Sequence, residues 1–260
     1  MEKTIQVDTA PMVTIWVHGT KGTARMLPLK AVQHFFECLP GLNHYTLLAP
    51  EYHHRKMAEM LNKEDPAQFP LEHFYLFGWE GILSFQEREK AANDLHHQII
   101  ELIEHYRLTY GSAPCLRIIT HSHGGNVVLN LARLNNDHTY TIDELVLLAC
   151  PVQIATATLA QEKMFKAIVH LFSKADIFQI IDMQGLYRNM DKAPLFSQRR
   201  FFSADNMVQI SLKKGCRPLA HVEFLLARFL QALPTILTRA RLLYKDASQL
   251  HQMHDMDIKK

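Results

Sequence analysis

The most informative part of this chain is an apolar run that ends in a serine flanked by small residues, Leu116-Arg117-Ile118-Ile119-Thr120-His121-Ser122-His123-Gly124-Gly125-Asn126-Val127-Val128-Leu129. The first residues have the composition of a buried strand, and the last ones continue as an apolar, helix-like segment. A serine on a sharp strand-to-helix turn needs small residues two positions away on either side, because the backbone folds tightly there. Such a turn lifts the hydroxyl clear of the sheet and directs a helix N-terminus, which favours developing negative charge, towards it. Ser122 is therefore a candidate nucleophile.

This passage resembles the nucleophile elbow of the α/β-hydrolase superfamily. Thr120 stands where that motif usually has glycine, so we expect a slightly relaxed turn, while Gly124 and Gly125 keep the crowded side open. The short motif alone also fits an ordinary strand–loop–helix junction. Residues elsewhere in the chain distinguish a nucleophile elbow from an ordinary junction.

Length and composition restrict the class of protein. The chain has 260 residues, enough for one α/β domain with a substantial core. A hydrophobic content of 48%, a charged content of 21% and a formal charge of +2 predict a soluble globular protein with neither a nucleic acid nor an acidic partner. No apolar run approaches the roughly 20 residues that span a bilayer, and residues 1–8 lack the apolar core of a signal peptide. We therefore expect a cytoplasmic protein.

The cysteines and histidines of this chain are not spaced as metal ligands usually are. The four cysteines lie far apart and form no CxxC pair, so a zinc or redox site is not expected and the thiols are predicted to be reduced; they are Cys38, Cys115, Cys150 and Cys216. Sixteen histidines include two adjacent pairs but no HExxH, which favours solvated surface histidines over a metal site. We expect no metal and no cofactor.

Hydrophobic periodicity predicts alternating strands and helices along the chain. The predicted strands are 12–17, 45–48, 74–79, 115–120, 145–150, 167–172 and 207–212. The predicted helices are 30–39, 52–62, 85–110, 124–134, 221–233, which Pro234 ends, and about 235–250. This alternation predicts a three-layer α/β/α sandwich around a mostly parallel sheet of about six strands.

The α/β-hydrolase resemblance covers about 12–233 and implies one domain over residues 1–260. The superfamily fold begins with two extra antiparallel strands, and only eleven residues precede the first strand here. We therefore expect a trimmed α/β-hydrolase fold. Its last part, residues 235–260, is predicted to be a basic C-terminal helix and a frayed tail, with contact to an anionic membrane as the alternative.

A serine nucleophile needs a base, and the base needs a third group that orients it. The superfamily supplies them in the chain order Ser, acid, His, each just past a strand end. Asp176 follows the strand 167–172 and is the predicted acid, with a turn or helix-capping aspartate as the alternative. His221 follows the last predicted strand and is the predicted base, with a helix-terminal histidine of no role as the alternative. Asp182, Asp205, His138 and His170 fit the pattern less well.

The resemblance also implies an oxyanion hole of two backbone N–H groups. One belongs to His123, and the other to the His18-Gly19-Thr20 loop after the first strand, where Thr20 supplies the N–H and Gly19 permits close approach. His18 is expected to support this loop. Apolar residues after the predicted strands are candidates for an acyl pocket, with core packing as the alternative: Trp79, Ile82, Phe85 and Phe178.

The resemblance implies a serine hydrolase that cleaves carboxylic esters, esterase- or lipase-like, through an acyl-enzyme. Two other classes use the same residues or fold: an acyltransferase, and a catalytically silent binding module. Residues 180–206 hold apolar residues with arginines, and form either a lid facing a lipid surface or a packed helix and loop. The expected substrate is a small-molecule acyl ester or lipid.

Overall fold

The computed structural model describes residues 10–21, 37–135, 137–180, 197–246 and 248–258. Within these ranges the chain forms one nine-stranded sheet. The strands are β1 (Met12–Val17), β2 (Gly41–His44), β3 (Phe74–Gly78), β4 (Cys115–His121), β5 (Glu144–Leu148), β6 (Ile168–Phe172), β7 (Met207–Lys214), β8 (Arg217–Pro218) and β9 (Met253–Asp257).

The sheet is mostly parallel, in the order β2-β3-β1-β4-β5-β6-β7-β8, with β9 also paired to β7. Two pairs are antiparallel, β2 with β3 and β7 with β8, and every other pair is parallel. β1 and β4 lie side by side in the centre, so the segments that follow them meet at the same edge of the sheet. That edge carries the candidate site.

Helices cover both faces of this sheet. They are α1 (His53–Glu64), α2 (Phe85–Tyr110), α3 (Gly124–Leu129), α4 (Ile154–Ala157) and α5 (Ala227–Lys245). The predicted helix over 85–110 is confirmed at both ends. The Ser84 hydroxyl accepts a hydrogen bond from the Glu87 N–H at its start, and Gly111, with φ of +75°, ends it.

The alternation of side chains within single strands explains the three layers. Along β1, Val13, Ile15 and Val17 belong to the apolar core shared with α2. Trp16 belongs to the second core, which includes buried residues of α1 and α5. Because successive side chains of a strand point to opposite faces, a strand that is apolar on both faces must be covered on both. The predicted three-layer α/β/α fold class is confirmed.

One edge of the sheet differs from the prediction. Residues 45–48 were expected to form a strand, but Tyr45–Leu47 is a 3₁₀ turn. The strand is the preceding segment, Gly41–His44, which pairs antiparallel with β3. Its polar Asn43 and His44 are tolerated because β2 is a half-buried edge strand, and this hid it from a hydrophobicity pattern. The predicted helix over 30–39 falls largely outside the described residues, and 37–39 are not helical.

The C-terminal helices were also predicted incorrectly. Pro234 was expected to end a helix over 221–233, but it lies inside α5, and His221–Leu225 is a separate 3₁₀ turn. A proline in a helix interior costs about 3 kcal/mol. α5 buries an apolar face on both sides of Pro234, which includes Leu230, Leu233 and Leu237. Each such side chain contributes about 1.5–3 kcal/mol on burial, so packing outweighs the proline.

Residues 253–258 are not a frayed tail. Met253–Asp257 forms β9, in parallel register with Gln209 to Lys213 of β7, and Ile258 is buried. Histidine and aspartate within the segment interrupt its apolar pattern, so sequence periodicity did not reveal it. The sheet is consequently larger than the six strands predicted. Among the described residues, no helix is long and apolar enough to cross a membrane.

Candidate active site

Ser122 lies on the turn between β4 and α3, as predicted. Its φ is +53°, a left-handed conformation that only two other non-glycine residues adopt in the described part of the chain. The turn is fixed on both sides: the Ser122 N–H donates to the Leu148 carbonyl at 2.8 Å, and the Ser122 carbonyl accepts from the Gly125 N–H at 3.0 Å. A left-handed serine costs on the order of 1 kcal/mol, and such strain is concentrated at functional sites.

The threonine in place of the usual glycine is accommodated by a hydrogen bond. Thr120 is fully buried, and its hydroxyl donates to the Val146 carbonyl of the neighbouring strand at 3.3 Å. On the other side of the turn, a Cβ on Gly125 would collide with the Cys150 side chain. α3 is shorter than the predicted helix over 124–134, since residues 130–133 continue as a 3₁₀ turn.

Asp176 and His221 are in direct contact. His221 Nδ1 lies 2.7 Å from Asp176 Oδ2. The Asp176 side chain is fully buried, and its second oxygen accepts the N–H of Gln179 at 3.1 Å. Since Nδ1 donates to the carboxylate, Nε2 of the neutral ring is left without a proton and able to accept one. An imidazole oriented by a buried carboxylate is the arrangement of a general base.

The loop after β1 packs directly against the nucleophile turn. A Cβ on Gly19 would lie 2.8 Å from the Ser122 Cβ and 2.9 Å from the His121 carbonyl, so only glycine fits there. The structure therefore brings Gly19 to Ser122, and Thr20 is the next residue of the same loop. His123, which carries the other predicted N–H, is the residue directly after the nucleophile at the start of α3.

His18 supports this loop by hydrogen bonds. Its Nδ1–H donates to the Gly19 carbonyl at 2.6 Å, and its Nε2 accepts the Trp79 N–H at 3.1 Å. The Trp79 indole N–H in turn donates to the His18 carbonyl at 2.8 Å, and the two rings stack with centroids 5.8 Å apart. This pattern requires a neutral ring, and burial lowers the pKa of His18 to about 4.

The histidines on either side of Ser122 are also uncharged. Burial holds the pKa of both His121 and His123 well below the usual value of 6.5, and the nearby His221 contributes in the same direction. Arg88 adds to the effect on His123. The two histidines that flank Ser122 therefore bring no positive charge to the turn.

The four predicted pocket residues differ in their surroundings. Phe178 is 71% exposed and its ring centroid lies 5.8 Å from that of His221, so it contacts the predicted base. Trp79 is buried in the core and supports the His18 loop. Ile82 and Phe85 lie in the segment that follows β3, where Ile82 is exposed and the Arg88 guanidinium lies 4.6 Å from the Phe85 ring centroid.

The alternative acid and base candidates lie in other environments. Asp205 is almost fully exposed and lies 3.4 Å from His251. His170 is a core residue of β6, between Phe172 and Phe201. Asp182 falls outside the described residues, and the exposed His138 lies in the loop that precedes β5.

The described part of the predicted lid packs onto the domain. Residues 181–196 are outside the described ranges. Gln198 forms an antiparallel bridge with Val152, with two hydrogen bonds of 2.9 and 3.0 Å, and Phe201 is buried. Residues 197–201 are therefore a packed segment beside the site. No group of three potential metal ligands occurs within the ranges that the structure describes.

Sequence reasoning did not identify two histidines that contact the turn carrying His221. His121 Nε2 lies 3.2 Å from the His221 carbonyl, and His53 Nε2 lies 2.8 Å from the Leu225 carbonyl. The position of His121, directly before the serine at a strand end, was the available signal for the first. His53 is distant in sequence, so no signal pointed to it.

The chain was compared with protein-family models, curated proteins and solved structures. No family model matches it, and no curated protein matches it. Similar solved structures include carboxyl esterase 2 from the mycorrhizal fungus Tuber melanosporum, at 13% identity and a TM-score of 0.47 over 94% of this chain and 80% of that one. A thermostable esterase from Pseudomonas putida is 11% identical, with a TM-score of 0.49 over 93% and 74%. The esterase domain of a Rhodothermus marinus protein is 10% identical, with a TM-score of 0.43 over 93% and 90%.

The chemistry of the site rests on its own residues: a serine on a left-handed turn, a histidine held by a buried carboxylate, and a glycine loop packed against the serine.

Proposed function

We propose that this chain is a serine hydrolase that cleaves carboxylic esters through Ser122, His221 and Asp176. The observation that supports it most is the 2.7 Å contact between His221 Nδ1 and the buried Asp176 carboxylate, at the same edge of the sheet as the strained Ser122 turn. A nucleophile, an orienting acid and a base, in that chain order at three strand ends, form the acyl-transfer arrangement.

In the proposed reaction, Nε2 of His221 takes the proton of the Ser122 hydroxyl as its oxygen attacks the ester carbonyl. Asp176 keeps the imidazole in the required tautomer and stabilises the imidazolium that forms. The N–H groups of His123 and Thr20 stabilise the oxyanion of the tetrahedral intermediate. His221 then protonates the departing alcohol, and a water molecule, deprotonated by the same ring, releases the acid from Ser122.

The surroundings of the base favour an apolar ester. Ile177 and Phe178 directly follow Asp176, and Val222 directly follows His221. All three side chains are exposed. Large apolar side chains on the surface next to a catalytic group favour contact with an apolar part of the substrate. We therefore infer an ester with an apolar acyl or alkyl group.

The proposal is tested by labelling with a fluorophosphonate and by turnover of p-nitrophenyl esters of increasing chain length. Ser122→Ala and His221→Ala should abolish labelling, and Asp176→Asn should lower kcat by about 1,000-fold or more. Asp205→Asn and His138→Ala, which alter the alternative acid and base, should leave both readouts unchanged. Folded wild-type protein that neither labels nor turns over any ester would contradict the proposal and favour a binding module.

A second measurement separates hydrolysis from acyl transfer. The same assay is run with added alcohol and thiol acceptors, and the products are identified by mass spectrometry. A serine hydrolase releases the free acid at a rate that the acceptor hardly changes. New ester or thioester as the main product, with the acceptor far more dilute than water, would assign the chain to the acyltransferases.

A further inference from the structure

The turn that carries the predicted base is held at both of its ends by histidine side chains. His221–Leu225 is a single 3₁₀ turn between β8 and α5, outside any long regular element. The carbonyl of its first residue, His221, accepts the Nε2–H of His121 at 3.2 Å. The carbonyl of its last residue, Leu225, accepts the Nε2–H of His53 at 2.8 Å. A short turn depends on such outside partners for its position.

His121 is the more informative of the two, because it adjoins Ser122 in the chain and contacts His221 in space. It is the last residue of β4 and is peptide-bonded to Ser122. Its ring centroid lies 4.7 Å from that of His221 at an interplanar angle of 53°. On its other side, a Cβ on Gly19 would lie 3.1 Å from Nδ1 of His121. His121 therefore lies between the Gly19 loop and the His221 turn.

The free-energy cost of burying the polar His121 ring has to be offset by a hydrogen bond. His121 is 6% exposed, and a buried polar group without a hydrogen bond costs roughly 1–3 kcal/mol in proteins. A phenylalanine would fill a similar volume without that cost. The hydrogen bond to the His221 carbonyl is therefore the feature that distinguishes histidine from an apolar core residue at this position.

We propose that His121 is a positioning residue that fixes the backbone of His221, and so the direction of its imidazole, relative to the adjacent Ser122. The chemistry it serves is that of the proposed function, on which this inference rests. Misplacement of reacting groups by about 1 Å can cost about 100-fold in rate. The donor of His121 should therefore act on kcat, with little effect on substrate binding.

The test compares His121→Gln with His121→Asn. The glutamine amide nitrogen reaches about as far as Nε2 of histidine and keeps a donor for the His221 carbonyl, whereas the asparagine amide is one methylene shorter and does not reach it. We expect His121→Asn to lower kcat by about 10- to 100-fold with nearly unchanged KM, and His121→Gln to restore most of the rate. The same pair at His170, a buried histidine of β6, is the matched control and should leave kcat unchanged.

A proton NMR measurement tests the positioning without turnover. The Nδ1–H of His221, hydrogen-bonded to Asp176, should give a low-field resonance, assigned by its absence in His221→Ala. It should persist in His121→Gln and broaden or disappear in His121→Asn. If this pattern holds in a protein without esterase activity, the proposed function fails while the positioning role stands.

Three results would overturn the role of His121. One is an unchanged kcat and low-field resonance in His121→Asn. Another is an equal loss of rate in the Gln and Asn variants. If His121→Asn does not fold, His121→Leu replaces it as the variant without a donor, and wild-type kcat in that variant would show that the hydrogen bond is dispensable.

Discussion

At the scale of single residues, Ser122 carries the clearest sign of function, because its backbone is left-handed although the residue is not glycine. Such a conformation is kept only where the surroundings enforce it, here by hydrogen bonds to Leu148 and Gly125. The strain makes a prediction about stability that is independent of any assay of activity. Removing the Cβ at this position should relieve it.

We expect Ser122→Gly to be more stable than Ser122→Ala by about 1 kcal/mol, because glycine adopts positive φ without a steric penalty. The measurement is urea unfolding of both variants. The control is the same pair at Ser173, a buried serine without positive φ, where glycine should be the less stable residue. Equal or lower stability of Ser122→Gly would mean that the turn is not strained in solution.

At the scale of elements, α5 shows how packing overrides a local signal. Pro234 has no N–H to donate to the carbonyl one turn earlier, and the helix continues through it because its apolar face is buried. The Pro234 carbonyl accepts the Thr238 hydroxyl at 3.0 Å and the Gln68 amide at 3.3 Å, so the helix also has side-chain support at this point.

Replacing this proline should stabilise the protein. Pro234→Ala restores the missing donor and removes the steric conflict, while the unfolded chain gains about 0.4–1 kcal/mol of conformational freedom. We expect a net gain of about 2 kcal/mol in the free energy of unfolding, measured by urea denaturation. Pro218→Ala, in β8 outside any helix, is the control and should give no such gain. Destabilisation by Pro234→Ala would mean that α5 is built around a proline kink.

At the scale of the whole molecule, buried histidines link stability to pH. Burial lowers the pKa of His18 to about 4, of His54 to about 3 and of His170 to about 4, all from an ordinary value of 6.5. They lie in the loop after β1, in α1 and in β6, so the effect belongs to the fold as a whole. Below pH 6.5 the unfolded chain binds protons at these positions that the folded chain does not.

The free energy of unfolding should therefore be at its full value above about pH 6.5 and fall as the pH is lowered. Each group contributes up to about 1.4 kcal/mol per pH unit, until the folded protein protonates as well, near pH 4 for His18 and His170. Urea unfolding at pH 7.5, 6.5, 5.5 and 5 measures the slope. His54→Gln should reduce it, while His138→Gln, at an exposed position, should not. Stability that does not change between pH 7.5 and 5 would contradict this account.

Local signals in the sequence predicted several elements correctly, and the candidate site residues were selected from the same signals. β1 and α2 have the predicted bounds, since strand alternation, a serine cap and a terminal glycine are properties of neighbouring residues. The Ser122 turn follows from small residues two positions away. Asp176 and His221 were chosen by their positions after strands, a rule that refers only to chain order.

Contacts between distant segments were not predicted from the sequence, because they form only when the complete fold packs. The edge strand β2, the pairing of β9 with β7 and the passage of α5 through Pro234 depend on partners far along the chain. The His121 and His53 contacts to the His221 turn span 100 and 172 residues of sequence. The physical reason is that turn and periodicity signals act over a few residues, whereas the free energy of burying a face or satisfying a buried N–H depends on which surfaces the complete fold brings together.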